Sequence, residues 1–193
     1  PDDWHLVFKA RYGMFVAFEE LKKARGAGTV LTQAFTCATA VDPIVAAGLT
    51  PAYVDVEEST IMINPDLAQI TDSTKAVVMQ HTFGIMAPEK SRALAKVASD
   101  ADVFLLEDSA HALGEISRDP EGTPLADVSI HSFGIEKMLP TRFGGAIWVN
   151  PDMADRELHH ALTTALQALP VVDPATSAKG RLYPYQNALF NRI

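Results

Sequence analysis

Hydrophobic and polar positions alternate between helix-like and strand-like patterns along the first third of the chain. The first helical pattern is formed by Met14, Ala17, Phe18 and Leu21. It stops near Gly26, as expected of a helix that a glycine terminates. The alternation then predicts a strand over 29–32, an alanine-rich helix that ends at Gly48, and a strand over 51–56.

The rest of the chain adds four strands, predicted over 75–80, 102–106, 128–133 and 145–149. Asn64 and Pro65 are typical of a helix start, with Asn64 as the N-cap and proline in the first turn. Pro88 opens another helix, which reaches Val97. The segment 150–152 is predicted to cap a last long helix, and 170–179 is predicted to be a linker.

Strands that alternate with helices at this spacing predict an α/β fold, because parallel strands need helical crossovers that cover both faces of the sheet. We therefore expect a three-layer α/β/α domain with a mostly parallel sheet. We expect residues 1–169 to form this large domain and 170–193 to form a linker and the start of an incomplete C-terminal region. In such sheets, ligands bind at the carboxyl ends of strands.

Composition and charge narrow the class of protein. Hydrophobic residues make up 48% of the 193 residues, which is typical of a soluble globular domain. The formal net charge of −8 argues against nucleic-acid and anionic-membrane partners, which bind clustered lysine and arginine. Cys37 is the only cysteine, which rules out an internal disulfide and a cysteine-based zinc cluster. The single cysteine fits a reducing, cytoplasmic setting best. No apolar run approaches the roughly 18 to 20 residues that span a bilayer.

Two polar segments directly follow buried strands, at the positions where a ligand is expected. Residues 107–114 read EDSAHALG, and residues 132–137 read SFGIEK. A carboxylate after one strand and a lysine after the next could form a cofactor site. They could equally form a plain ion pair, and the residues alone leave both alternatives open.

These segments resemble the DegT/DnrJ/StrS family of sugar aminotransferases, which are pyridoxal 5'-phosphate (PLP) enzymes of the aspartate-aminotransferase fold type I. The resemblance extends from about Phe8 to Met153. Within this range, the further segments that carry the resemblance are 30–37, 48–56, 74–84 and the glycine-bearing 143–146. The ordered set of segments is specific, whereas each segment alone is weak. The resemblance implies a PLP-transferase large domain whose C-terminal small domain is absent or incomplete.

The resemblance implies catalytic roles for Lys137 and Asp108. Lys137 resembles the family lysine that forms a Schiff base with PLP and then moves a proton. The alternative for Lys137 is a solvated surface lysine. Asp108 resembles the carboxylate that keeps the pyridine nitrogen of PLP protonated, which the cofactor needs to act as an electron sink.

Five further residues resemble family positions that contact the cofactor. His111 matches a position near the ring oxygen, although a lone histidine is often a core residue. Ser132 resembles the phosphate-binding serine, although serine also commonly caps turns. Ala10 and Arg11 precede the first helical pattern, where backbone amides face the phosphate, but Ala10 replaces a family glycine. Cys37 stands where many members stack an aromatic ring on PLP, and it could equally be a small buried hydrophobe.

The leading hypothesis is a PLP-dependent aminotransferase that transfers an amino group from glutamate to a nucleotide-linked keto-sugar. The donor, the acceptor and a homodimeric state are implied by the resemblance alone. A dehydratase branch of the family replaces the lysine with histidine, so Lys137 favours transamination. His81 matches a recurrent family histidine that we expect to be structural.

Two alternatives stay open. One is a catalytically incomplete PLP-binding protein, or a non-catalytic remnant of the fold, and we expect the chain to be a poor enzyme by itself. The other is a plain nucleotide-binding α/β domain. It is the weaker alternative, because no Gly-x-Gly-x-x-Gly or Walker-type loop follows the first strand.

Overall fold

The computed structural model describes residues 3–134, 137–139, 141 and 143–190. Within these residues, the sheet has seven strands: β1 Trp4–Val7, β2 Thr29–Gln33, β3 Thr50–Val54, β4 Thr74–Gln80, β5 Phe104–Asp108, β6 Val128–Ser132 and β7 Gly145–Val149. The α-helices are α1 Ala10–Arg25, α2 Ala38–Ala46, α3 Pro88–Asp100, α4 Arg156–Gln167 and α5 Pro174–Phe190. Short 3₁₀ turns cover Pro65–Leu67 and Thr82–Gly84.

The strand order of the sheet is β1-β7-β6-β5-β4-β2-β3. Strands β2 to β6 pair in parallel, whereas β7 is antiparallel to both β6 and β1. The sheet is therefore mostly parallel, with one return strand near an edge. This confirms the predicted α/β class.

Helices cover both faces of the sheet. On one face, α1, α2 and α4 share a core with the strands, in which Phe18, Ile44 and Leu162 are fully buried. On the other face, Leu94 of α3 packs in a second core with strand residues such as Val77. This is the predicted three-layer arrangement, with more helices on the first face than on the second.

The first helix forms as the hydrophobic pattern predicts. All four apolar residues of that pattern are buried, at Met14, Ala17, Phe18 and Leu21. Gly26 ends the helix at a φ of 77°, and its N–H donates to the Lys22 carbonyl at 2.8 Å. Because most residues avoid positive φ, a glycine at this position terminates the helix at little cost.

The helix predicted at Asn64 is wrong beyond its first turn. The Asn64 side chain does accept a hydrogen bond from the Asp66 N–H at 3.0 Å, as an N-cap should. The helical geometry nevertheless ends at Leu67. A cap and a proline can start a turn, but a helix needs a buried apolar stripe to continue, because its nucleus is costly.

The helix predicted to be capped by 150–152 begins later, at Arg156. Asp155 is its N-cap, because its Oδ1 accepts the Leu158 N–H at 3.0 Å. Asn150 instead accepts the Asp152 N–H at 2.9 Å within a turn. Both residue types suit caps and turns, so local preference alone does not separate the two sites.

The predicted linker 170–179 is helical from Pro174 onward, where α5 begins. Asp173 precedes this helix, and its Oδ1 accepts the Thr176 N–H at 2.9 Å. An aspartate followed by proline is a helix-start signal that the weak apolar pattern of this segment obscures. Residues 191–193 of the predicted C-terminal region 170–193 lie outside the described residues.

Strand β1 was not predicted, because four residues at an edge carry too short a pattern. It pairs with β7 in the register Leu6 to Ala146 and Val7 to Gly145. This pairing brings the start of α1 close to β7. In the described part of the chain, no helix has the length and apolar character that crossing a membrane requires.

Candidate active site

A cavity of about 660 Å³ lies where strands β4, β5 and β6 end. All seven residues that the sequence singles out as candidates line it: Ala10, Arg11, Cys37, Asp108, His111, Ser132 and Lys137. The structure therefore brings these residues together from four separate segments of the chain. Their chemical roles remain predictions.

The floor of the cavity is formed by Gln80, Asp108 and Ser132, the last residues of three neighbouring parallel strands. Side chains alternate between the two faces of a strand. Since Leu106 and Ile130 belong to the core under α1, Asp108 and Ser132 face the same side. The carboxyl ends of the strands thus direct three polar groups into one space, as expected of this fold class.

Asp108 is a buried carboxylate with 6% of its surface exposed. Its Oδ1 accepts the Ala110 N–H at 3.0 Å. Burial raises the pKa of Asp108 above its ordinary value, while the Ala110 N–H and the positive charge of Lys137 act in the opposite direction. A cationic group in the cavity would therefore favour the ionised form.

His111 is held by the turn that follows β4. The Phe83 N–H donates to His111 Nδ1 at 3.1 Å, and the two rings lie parallel with their centroids 6.1 Å apart. Burial lowers the pKa of His111, as does the charge of Lys137, against an opposing effect of Asp108. The imidazole is therefore neutral near pH 7, and because Nδ1 accepts a hydrogen bond, Nε2 carries the proton.

The N-terminus of α1 forms another part of the cavity wall through Ala10 and Arg11. No side chain caps this helix start. A β-carbon at Gly145 would lie 2.4 Å from the Ala10 nitrogen, so only glycine lets β7 approach the helix this closely. The Tyr12 N–H donates to the Lys9 carbonyl at 2.9 Å. An uncapped helix start of this kind carries a positive partial charge, which favours an anion.

Ser132 has features of both of its predicted roles. Its hydroxyl lies in the cavity, and its Oγ also accepts a long hydrogen bond of 3.4 Å from the Gly134 N–H. The turn-capping contact is thus present but weak, because hydrogen bonds to a hydroxyl are usually shorter. The hydroxyl hydrogen remains available to a ligand.

Lys137 lies on the segment that connects β6 with β7. Its backbone N–H donates to the Gly134 carbonyl at 3.0 Å. The Phe133 N–H donates to the Gly144 carbonyl at 2.9 Å, and the Thr141 hydroxyl donates to the Phe133 carbonyl. These bonds close the segment into a loop at the cavity. Ile135 and Glu136 of the predicted motif lie outside the described residues.

Cys37 is the N-cap of α2 and is exposed, with its Sγ 2.9 Å from Thr39 Oγ1. The interpretation of Cys37 as a small buried hydrophobe is therefore wrong. Phe35 is not among the described residues that line the cavity. It is 54% exposed, and its ring contacts Phe83 edge-on at 6.3 Å.

Two parts of the cavity were not predicted. Gln80 ends β4, and a search of every strand end would have found it. Helix α5 adds five residues to the lining, namely Thr176, Lys179, Gly180, Tyr183 and Gln186. A β-carbon at Gly180 would lie 2.1 Å from the Phe143 ring, so the helix packs directly on that side chain. The residues of α5 were missed because 170–179 was interpreted as a linker, although Asp173 and Pro174 form a helix-start signal.

Comparisons of sequence place the chain among known proteins. The model of the DegT/DnrJ/EryC1/StrS aminotransferase family matches residues 12–172. The chain is 34% identical over 140 residues to the spore coat polysaccharide biosynthesis protein SpsC of Bacillus subtilis, covering 69% of this chain and 36% of SpsC. It is 31% identical over 127 residues to a dTDP-4-dehydro-2,6-dideoxy-D-glucose 3-dehydratase of Saccharopolyspora spinosa, covering 65% of this chain and 27% of that protein.

A comparison of structures agrees. The chain is similar to the sugar aminotransferase CalS13 of Micromonospora echinospora, with a TM-score of 0.68 and 28% identity. The match covers 83% of this chain and 44% of the CalS13 chain. The chain thus spans about a third of the curated relatives and less than half of this solved structure.

Proposed function

The chain belongs to the DegT/DnrJ/EryC1/StrS aminotransferase family, and on that premise we propose that it binds PLP and serves in an aminotransferase. Membership confirms the resemblance seen in the sequence. The observation that carries the proposal is the convergence of Lys137, the buried Asp108 and the uncapped start of α1 in one cavity.

The residues present fit the chemistry of this cofactor. PLP has an aldehyde, a pyridine ring and a phosphate, and the cavity offers an amine, a carboxylate and an anion-binding helix start. When bound, PLP supplies an electron sink that stabilises negative charge at a substrate carbon. The roles of holding the cofactor and of moving a proton are proposed below for residues of this chain.

Lys137 is proposed to hold the aldehyde covalently and to move a proton at the substrate carbon through its Nζ. The plain ion-pair alternative predicts a direct contact with Asp108. Among the described residues, no salt bridge joins the two side chains. The Lys137 amine is therefore not committed to the carboxylate.

Asp108 is proposed to hold a proton on the pyridine nitrogen. Its burial supports this role, because the carboxylate gains most from a positive partner where water screens it least. Burial also raises the pKa of Asp108, because it disfavours the charged carboxylate. A cation placed beside Asp108 would offset this effect and favour the ionised form.

The phosphate is proposed to bind the amides at the start of α1, the Arg11 side chain and the Ser132 hydroxyl. Ala10 stands where the family has a glycine. Gly145 lets the neighbouring strand β7 pack closely against the backbone at Ala10 and so fixes the position of this helix start. An anion at this position would gain both hydrogen bonds and the favourable helix dipole.

His111 and Cys37 are proposed to contact the cofactor ring. A neutral His111 whose Nδ1 accepts the Phe83 N–H has an Nε2–H left to donate to the ring oxygen. Cys37 lines the cavity from the start of α2 and contributes a polarisable sulfur in place of an aromatic ring.

The substrates are proposed to be glutamate as amino donor and a nucleotide-linked keto-sugar as acceptor. The name of CalS13 as a sugar aminotransferase supports the sugar class. One relative is named as a 3-dehydratase, but the lysine at position 137 favours transamination in this chain. The comparisons give no support to a non-catalytic remnant.

Three organisational features remain proposals. A large domain over 1–169 and a C-terminal region from 170 are supported by the break between α4 and α5. A homodimer is supported by the family resemblance alone. A cytoplasmic setting is supported by the use of a single cysteine.

The proposal is tested by mixing the chain with PLP and recording the visible absorbance spectrum. A lysine-bound cofactor absorbs at longer wavelength than free PLP, and the band should disappear in Lys137→Ala. Because a domain of this kind could bind phosphate compounds without bonding to them, pyridoxine phosphate is the matched control. An identical spectrum for wild type and Lys137→Ala would remove Lys137 from the proposed role.

A further inference from the structure

Glu107, the neighbour of Asp108, lies on the opposite face of the sheet and has no part in the proposed chemistry. Its strand neighbour Leu105 belongs to the core under α3, so alternation directs Glu107 toward that side. The Glu107 side chain is fully buried. Its Oε1 accepts two hydrogen bonds, one from His81 Nε2 and one from the Ser117 N–H, each 2.8 Å long.

These two donors belong to the two segments that meet at His111. His81 directly precedes the turn Thr82–Gly84, whose Phe83 N–H donates to His111 Nδ1. Ser117 ends the loop 109–117 that carries His111 itself. A closed circuit of contacts therefore runs from Glu107 through His81 and the turn to His111, and back through the loop to Ser117.

The turn needs external support. Phe83 has a φ of 56°, a conformation that is costly for a residue with a β-carbon and persists only where its surroundings enforce it. The next residue, Gly84, approaches so closely that a β-carbon there would lie 2.8 Å from the His111 carbonyl oxygen. A small shift of the turn would therefore displace His111 directly.

Stability alone does not account for the buried pair. Glu107 Oε2 and His81 Nδ1 are both buried without a hydrogen-bond partner among the described residues. An unsatisfied buried polar atom costs about 1 to 3 kcal/mol, and a buried charged group with its partner is often no more stable than apolar residues of similar volume. Burial would raise the pKa of Glu107, but its bonds to His81 and Ser117 outweigh that effect and lower the pKa, so the carboxylate is ionised.

We propose that Glu107 is a positioning residue that fixes His111 in the cavity by joining the turn Thr82–Gly84 to the loop 109–117. The position of His111 follows from these contacts. The consequence for PLP binding rests on the proposed function. Glu107 touches neither the cofactor nor the substrate in this scheme and acts only through His81 and Ser117.

The test is the NMR titration of His111 in the 193-residue chain without PLP. Glu107→Leu should raise the pKa of His111 toward its ordinary value, because the freed ring loses the Phe83 N–H bond and its burial. Deleting a negative charge by itself would lower a histidine pKa. The direction of the shift therefore separates positioning from simple electrostatics. The charged groups that act on His111, Lys137 and Asp108, are unchanged in this variant.

Two variants on the same segments serve as controls. Glu107→Gln keeps an oxygen that can accept both hydrogen bonds, so His111 should titrate nearly as in the wild type. Glu115→Gln removes the same charge from an exposed side chain on the same loop and should leave the titration unchanged. A His111 pKa that stays the same or falls in a folded Glu107→Leu would overturn the proposal.

Two further measurements cover a variant that does not fold. His81→Phe deletes one of the two bonds to Glu107 and should also raise the His111 pKa, and an unchanged titration would count against the circuit. In the wild type, the Phe83 and Ser117 amides should exchange slowly with solvent, since both are hydrogen-bonded in the circuit. Exchange at the rate of open loops would overturn the proposal without any variant.

The cofactor consequence is measured separately. Loss of a contact worth one hydrogen bond should weaken PLP binding by about tenfold in Glu107→Leu and not in Glu115→Gln. A wild-type chain that fails to bind PLP would contradict the proposed function but leave the titration result intact. A wild type that binds PLP, with His111 and PLP affinity both unaffected in Glu107→Leu, would contradict only this inference.

Discussion

Gly145 and Ala10 lie so close together that a β-carbon at position 145 would be 2.4 Å from the Ala10 nitrogen. This contact connects the first residue of β7 with the first residue of α1. The return strand β7 therefore fixes the position of the start of α1. It also fixes the amides that are proposed to bind phosphate.

Gly145→Ala should weaken both folding and anion binding. The added methyl group meets backbone atoms that cannot rotate away, so overpacking should cost about 1 to 3 kcal/mol and push the start of α1 from the cavity. Gly122→Ala is the control, since it introduces strain at a φ of 90° with nothing within 4 Å. Urea unfolding should show a loss in both variants. Calorimetric PLP affinity should fall only in Gly145→Ala, and an equal effect in both would contradict the helix-start site.

Asp108→Asn should stabilise the chain without PLP at neutral pH. The folded-state pKa of Asp108 is raised by burial. The wild type therefore loses stability as pH rises from the unfolded-state value through the folded one, and keeps that penalty at pH 7. Asparagine keeps an acceptor for the Ala110 N–H and has no charge to bury. The gain in melting temperature should vanish below about pH 3.8, the ordinary pKa of aspartate. A gain of equal size in the exposed Asp42→Asn would contradict this explanation.

The same variant separates cofactor binding from cofactor electronics. Asp108→Asn should still attach PLP to Lys137, because that bond needs only the amine and the aldehyde. The pyridine nitrogen should lose its proton, because its anionic partner is gone. A ¹⁵N spectrum of bound, nitrogen-labelled PLP reports this directly. Identical ¹⁵N chemical shifts in wild type and variant would show that Asp108 does not interact with the pyridine nitrogen.

Asp155→Ala should destabilise the chain by about 1 kcal/mol, the usual worth of an N-cap. The Leu158 N–H and Arg25 lower the pKa of Asp155. Its contribution is therefore present above the ordinary pKa and is lost as pH falls through the lowered one. Asp152→Ala is the control, since its side chain is exposed and lies in the segment that the sequence suggested as the cap. Thermal melts at pH 7 should separate the two, and equal losses would contradict the observed helix start.

The alternation of strands and helices was predictable because each element buries an apolar pattern of its own. The Met14 to Leu21 stripe and the apolar strand ending at Leu106 are examples, and both lie in the core. The site residues were predictable for a related reason. Parallel strands place their carboxyl ends together, so Asp108 and Ser132 were expected to meet once both polar segments were placed directly after buried strands.

Other features depend on contacts that no local pattern reveals. Strand β1 exists because it pairs with β7, and the choice between 150–152 and Asp155 as helix start depends on tertiary packing. The packing of Gly180 against Phe143 involves a glycine that carries no signal in the sequence. The circuit through Glu107 escaped prediction because a buried carboxylate was not expected on the apolar face of a central strand.

The most direct test of the proposed function is borohydride reduction of the chain mixed with PLP, followed by peptide mapping with mass spectrometry. Among the described residues, three lysines line the cavity, Lys9, Lys137 and Lys179. Lys75 is not among them and reports non-specific reaction. The proposed function predicts that the reduced adduct forms on Lys137 at one equivalent of PLP and is absent from Lys75. An adduct chiefly on Lys9, Lys179 or Lys75, or no adduct at all, would contradict it.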